Sequence, residues 1–158
     1  MMFGIGRGTH GSTYWEDKIM VKHDILERKL CQIEKSLTKV LMYRSLSYDE
    51  FVSHPVARDV VEYNLFIIIN CMIDIVNHIV SDDGLGEVDV LSDGFRILAD
   101  HGYWNNHQTA IYTKMVAFRN MIAHQYADIG AQFVYEIVQH KLDDIRTFKQ
   151  QIADKIVR

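Results

Sequence analysis

The chain has 158 residues, 48% of them hydrophobic and 24% charged, with a single proline. This excludes disordered, collagen-like and low-complexity classes and argues against a turn-rich sandwich or barrel, while the length suits one domain with its own core. With 17 basic and 21 acidic residues the formal charge is −4, so any nucleic-acid chemistry must come from a local patch.

Residues 1–13 carry Gly4, Gly6, Gly8 and Gly11 without the apolar stretch of a secretion signal, and read as a loose tail ahead of a domain spanning 14–158. From Tyr14 to Arg44, apolar residues recur at Ile19, Leu26, Leu30, Ile33, Leu37, Val40 and Leu41, the spacing of an amphipathic helix. A break covers 45–53, with Ser53 as a candidate cap and Pro55 as an early residue of the next helix. That helix runs to about Val80 and is apolar almost all round, which places it at the centre of a bundle or between subunits. A polar line, Asn70, Asp74, Asn77 and His78, runs along one side of it. The line reads either as a hydrogen-bonded network fixing helix register or as Asp74 orienting an active-site group near a subunit cleft.

Gly84 and Gly86 mark a loop, Val90 to Ala99 a short helix stopped near Gly102, and Asn105 to about Tyr126 a third long helix. Tyr103 and Trp104 read as aromatic anchors of the turn rather than as a base-stacking platform. Gln132 to Val157 reads as one closing helix with Phe133, Ile137, Leu142, Ile145, Phe148, Ile152 and Ile156 at helical spacing. The predicted fold is all-α, an antiparallel bundle of four long helices plus a short one. No uninterrupted apolar run approaches the ~20 residues that span a bilayer, so the expectation is a soluble cytoplasmic protein. Cys31 and Cys71 read as small buried hydrophobes, and no two of the eight histidines lie at metal-binding helical spacing, so neither a metal site nor a cofactor is expected.

The densest chemistry lies in Phe118–Tyr126, which gathers a cation, an amide, an imidazole and a phenol at a helix end. At about 100° per residue on one straight helix, Arg119 and Tyr126 share a side, while Asn120 and His124 lie roughly 100–140° away. Convergence on one atom therefore needs a bent helix end or a second copy across a two-fold axis. Two such histidines could deprotonate a ribose 2′-hydroxyl and protonate a leaving 5′-oxygen, and two arginines could clamp the phosphate between them. Taken singly, His124 also reads as a helix-terminus residue, Arg119 as a surface ion-pair partner and Tyr126 as a half-buried bundle residue. Spacing alone leaves both readings open.

The order Arg119, Asn120, His124, Tyr126, with Phe118 in front, resembles the R-x4-H-x-Y motif of HepT-family toxins, which carry HEPN domains. Ile73-Asp74-Ile75-Val76-Asn77-His78-Ile79 is similar to a helix segment of those proteins, and Tyr126 to Val138 resembles their turn into the last helix, with Gly130 where an acidic cap is expected. The resemblance covers about residues 55 to 150. It implies a homodimeric, metal-independent endoribonuclease toxin with Arg119 and His124 as catalytic residues and Asn120 and Asp74 in support. It further implies RNA as substrate (messenger or transfer), not DNA or membrane, and an MntA-type nucleotidyltransferase antitoxin that adds AMP to Tyr126. The alternative is a non-catalytic helical module binding a nucleotide or a nucleotidyltransferase partner.

Overall fold

The computed structural model describes residues 10–124 and 129–156, and within them every regular element is helical. In chain order these are α1 (His10–Leu41), α2 (Tyr48–Ser53), α3 (Ala57–Asp82), α4 (Asp93–Asp100), α5 (Asn106–Ala123), α6 (Ala131–His140) and α7 (Leu142–Ile156). The all-α antiparallel bundle read from periodicity is thus the architecture found, with two refinements in the connections.

α3 is the axis of the molecule, as its near-continuous apolar surface requires. Val61, Leu65, Ile68, Met72, Ile75, Val76 and Ile79 are buried, and α1, α4, α5 and α6 all pack on it. By length and composition α3 is apolar enough to cross a bilayer, a property that counting uninterrupted apolar residues misses, but 61% of its most apolar window is buried inside the bundle. α1 lies antiparallel along it: Lys22 meets Asp83 at 2.6 Å and Lys29 meets Asp74 at 2.8 Å, so the numbers rise on one helix as they fall on the other. α1 begins at His10, four residues upstream of Tyr14. Cys71 is buried as expected, but Cys31 is exposed, because it is turned about 140° from Leu26 on the buried side of α1.

The 45–53 break holds the short helix α2, capped by Ser47, whose hydroxyl accepts from the Glu50 N–H at 3.1 Å. Ser53 does not cap α3. Its hydroxyl turns back to the Asp49 carbonyl, and His54 Nδ1 accepts from the backbone N–H of Val56 and Ala57 at 3.2 and 3.0 Å, taking the role of cap. α4 crosses close to α3 at Gly94, where a Cβ would stand 2.5 Å from Val76 Cγ1 and 3.0 Å from Asn77 Oδ1. The chain then leaves α4 through Gly102, at φ +81°.

The predicted closing helix is two, α6 and α7, parted at Lys141. The sequence does carry the signal: His140 ends one helix, and Asp143 and Asp144 occupy the first turn of the next, matching the two ends of the helix dipole. α6 docks on the α1–α2 connection through the Tyr135 hydroxyl, which donates to the Leu46 carbonyl at 3.0 Å. α7 closes an aromatic cluster of Phe95, Trp104, Tyr112 and Phe148, with ring centres 5.0–6.2 Å apart. Trp104 is buried and its indole N–H donates to the Phe95 carbonyl at 2.9 Å, so it anchors the turn after α4.

Candidate active site at the end of helix α5

α5 runs antiparallel to α3 and carries the motif into its last turn. Phe118 is buried and packs against Phe133 of α6, which fixes the rotation of the helix and turns the next residue, Arg119, toward α3. There the side chain meets two residues one turn apart. The Asn70 amide oxygen accepts from Arg119 Nε at 2.7 Å, and the guanidinium carbon lies 5.1 Å from the centre of the Phe66 ring. A third contact comes from its own helix, where the Asn120 amide oxygen accepts from Nη1 at 3.0 Å.

The partners of this cation are all neutral. Two of the five N–H groups of Arg119 go to amide oxygens, and no carboxylate reaches it among the described residues. Three other arginines do meet carboxylates, Arg58 with Glu62, Arg96 with Asp93 and Arg146 with Asp143, while Arg44 donates to the Gln139 carbonyl. The surface-pair reading of Arg119 is therefore not what the structure shows. A half-buried guanidinium fixed on one edge and one face keeps its full charge and presents its remaining N–H groups as a fork suited to an anion's oxygens.

α5 stops at Ala123, short of the predicted Tyr126. His124 caps it, its backbone N–H donating to the Asn120 carbonyl at 3.0 Å, and its side chain is exposed. Asn120 thus touches both parts of the motif, the guanidinium through its side chain and His124 through its main chain. Tyr126 itself lies outside the described residues. Just beyond, Ile129 is buried and its carbonyl accepts from the Arg58 guanidinium of α3, tying the chain after the motif back to the bundle.

The polar line on α3 divides. Asn70 serves Arg119, whereas Asp74, one turn on, is engaged by Lys29 of α1, and His78 lies 3.3 Å from Asp82 rather than against Asp74. Asp74 hydrogen-bonds the Lys29 ammonium and raises its pKa, while burial away from water raises that of the nearby Cys71 thiol. Asp74, Asn77, His78 and Lys29 line a shallow groove of about 370 Å³ between α1 and α3. Asp74 therefore stands beside the Arg119 site along α3, with no contact to the guanidinium. The residues that sequence reasoning left without a role at the site are Phe66 and Asn70. The available signal was an amide closing the apolar run Leu65–Ile69.

A half-buried arginine and an exposed histidine thus stand five positions apart at the end of one helix of an all-helical bundle. The model of the family described as ribonuclease HepT-like matches residues 33–152, and the chain belongs to that family. Among curated relatives, the mRNA nuclease HepT of Shewanella oneidensis is 28% identical over 126 residues, 80% of this chain and 94% of that protein. Among solved structures, the tri-AMPylated Shewanella oneidensis HEPN toxin in complex with MNT antitoxin superposes with a TM-score of 0.77 at 27% identity, covering 83% of this chain and 98% of the other. A toxin–antitoxin complex with AMP-PNP gives the same TM-score, identity and coverage. The cytosolic protein YutE of Bacillus subtilis shares the fold, with a TM-score of 0.62 at 14% identity over 89% of this chain and 90% of that one.

Proposed function

We propose that this protein is an endoribonuclease toxin that acts as a homodimer in the cytoplasm. In this reading two copies bring Arg119 and His124 together around one RNA phosphodiester. One His124 takes the proton of the 2′-hydroxyl as that oxygen attacks phosphorus. His124 of the partner subunit gives a proton to the departing 5′-oxygen, leaving a 2′,3′-cyclic phosphate and a 5′-hydroxyl. The Arg119 pair stabilises the charge that builds on the phosphate oxygens, and the nucleophile is the RNA's own hydroxyl, so the scheme calls for no metal ion.

The observation that carries the reading is the state of Arg119. It is fixed by neutral amides and an aromatic face, with no carboxylate opposing it among the described residues, five positions before an exposed histidine. Family membership supports the substrate class, messenger or transfer RNA, and the relatives solved with an MNT antitoxin support a nucleotidyltransferase partner for this chain. Adenylylation of Tyr126 would place a phosphate and a nucleoside two residues from His124, where they compete for the arginine's donors. Incubation with an RNA oligonucleotide in excess chelator tests the proposal. Fragments ending in 2′,3′-cyclic phosphate are expected. RNA that stays intact, or is cut only after divalent metal is restored, overturns it and favours the non-catalytic binding module.

A further inference from the structure

We infer that Asn70 is a positioning residue for Arg119, and that its being an amide rather than a carboxylate keeps the arginine able to bind phosphate. The inference rests on the nuclease reading above and adds to it a residue outside the motif.

An arginine free to rotate spreads its fork over many directions and loses side-chain entropy each time it grips a ligand. Here two neighbours on α3 remove that freedom before any ligand arrives. Asn70 takes the Nε–H at 2.7 Å and fixes the guanidinium edge nearest its own helix, while Phe66, one turn earlier, lies beneath the guanidinium at 5.1 Å and fixes its plane. Asn120 takes one hydrogen of Nη1 from the side. What remains, the second hydrogen of Nη1 and both of Nη2, has no partner among the described residues. One hydrogen on each Nη is thus left to meet two phosphate oxygens side by side.

The chemistry at position 70 decides whether this edge is useful. A carboxylate there would accept the same hydrogen bond more strongly. It would also neutralise the cation at close range and compete with the phosphate for it. A carboxamide orients without neutralising. The same helix uses a carboxylate one turn later, where Asp74 engages Lys29 and draws that cation into a structural pair.

The test compares Asn70→Ala and Asn70→Asp with the wild-type protein. Three quantities are measured: cleavage of an RNA oligonucleotide, thermal unfolding, and exchange of the Arg119 Nε–H with water by nuclear magnetic resonance. Asn70→Ala is expected to lower kcat by about tenfold to a hundredfold, with KM changed by less than about threefold, and to speed Nε–H exchange. Asn70→Asp is expected to keep slow exchange and an unchanged unfolding temperature, yet to raise KM and cleave no better than Asn70→Ala. If Asn70 merely packs α3 against α5, the isosteric aspartate rescues cleavage. That rescue, or an alanine variant with wild-type cleavage and wild-type exchange, overturns the inference. Wild-type protein that leaves RNA uncut while Nε–H exchange still depends on Asn70 overturns the nuclease reading instead.

Discussion

The two ends of α5 solve opposite problems with similar materials. At the start of the helix, Tyr112 is 1% exposed and its hydroxyl donates to Gln151 Oε1 at 2.7 Å, while Gln151 in turn donates to Gln108 Oε1 at 2.7 Å. Phe95, Trp104 and Phe148 enclose the ring, and burial pushes the phenol well above its ordinary pKa, so it stays a neutral structural hydroxyl. At the other end the polar group is a cation, half-exposed, fixed by amides and met by no carboxylate among the described residues. The first end spends its hydrogen bonds on itself, and in the proposed function the second keeps some for a ligand, which would separate stability from chemistry along one helix.

Substitutions at the two ends should therefore fail in different ways. The largest effect on folding is expected from Phe148→Ala, which empties the centre of the aromatic cluster. It should cost about 3–5 kcal/mol and lower the unfolding temperature by roughly 10 °C, while the folded fraction keeps its cleavage rate. If denaturant titration shows a cost below about 1 kcal/mol, the cluster is not the stabilising end. Tyr112→Phe removes one hydrogen bond and strands the Gln151 oxygen, for about 1–2 kcal/mol. An unchanged denaturation midpoint would show that water already serves that oxygen.

The smallest effect is expected where charges pair at the surface. Lys29→Met should cost less than about 1 kcal/mol, since both partners are well exposed. Asp74 raises the folded-state pKa of Lys29 above its ordinary 10.5, so this contribution is present below that pH and lost as pH rises through the folded value. A stability difference between wild type and variant that persists unchanged well above that range would contradict the assignment. The same neighbourhood gives a sharper, qualitative check. A thiol reagent should label the exposed Cys31 quickly and the buried Cys71, whose thiol burial holds protonated, only on unfolding.

Most of the fold was legible because each long helix states its buried side repeatedly, as with Leu26, Ile33, Leu37 and Val40 on α1. What escaped were features set by single residues acting at a distance in space. Periodicity runs smoothly through Lys141, so the split between α6 and α7 shows only in the charges on either side of it. The cap of α3 is His54, whose ring reaches the helix N-terminus from a position that an N-cap reading assigns to Ser53. At the site, the motif named Arg119, Asn120 and His124, because their spacing lies along one stretch of chain. Asn70 stands 49 positions away, and only the antiparallel packing of α5 on α3 brings it to the guanidinium. Asp74, singled out by the same polar line, is one helical turn further on and pairs with Lys29 of α1.

The central claim is that the end of α5 carries chemistry and not stability. The most direct measurement is cleavage of RNA by His124→Ala beside its thermal unfolding curve. The account predicts a fall in cleavage of about 10²–10⁴-fold, with the unfolding temperature within about 2 °C of wild type, a difference under about 1 kcal/mol. Cleavage retained at the wild-type level, or lost only together with the fold, would contradict it.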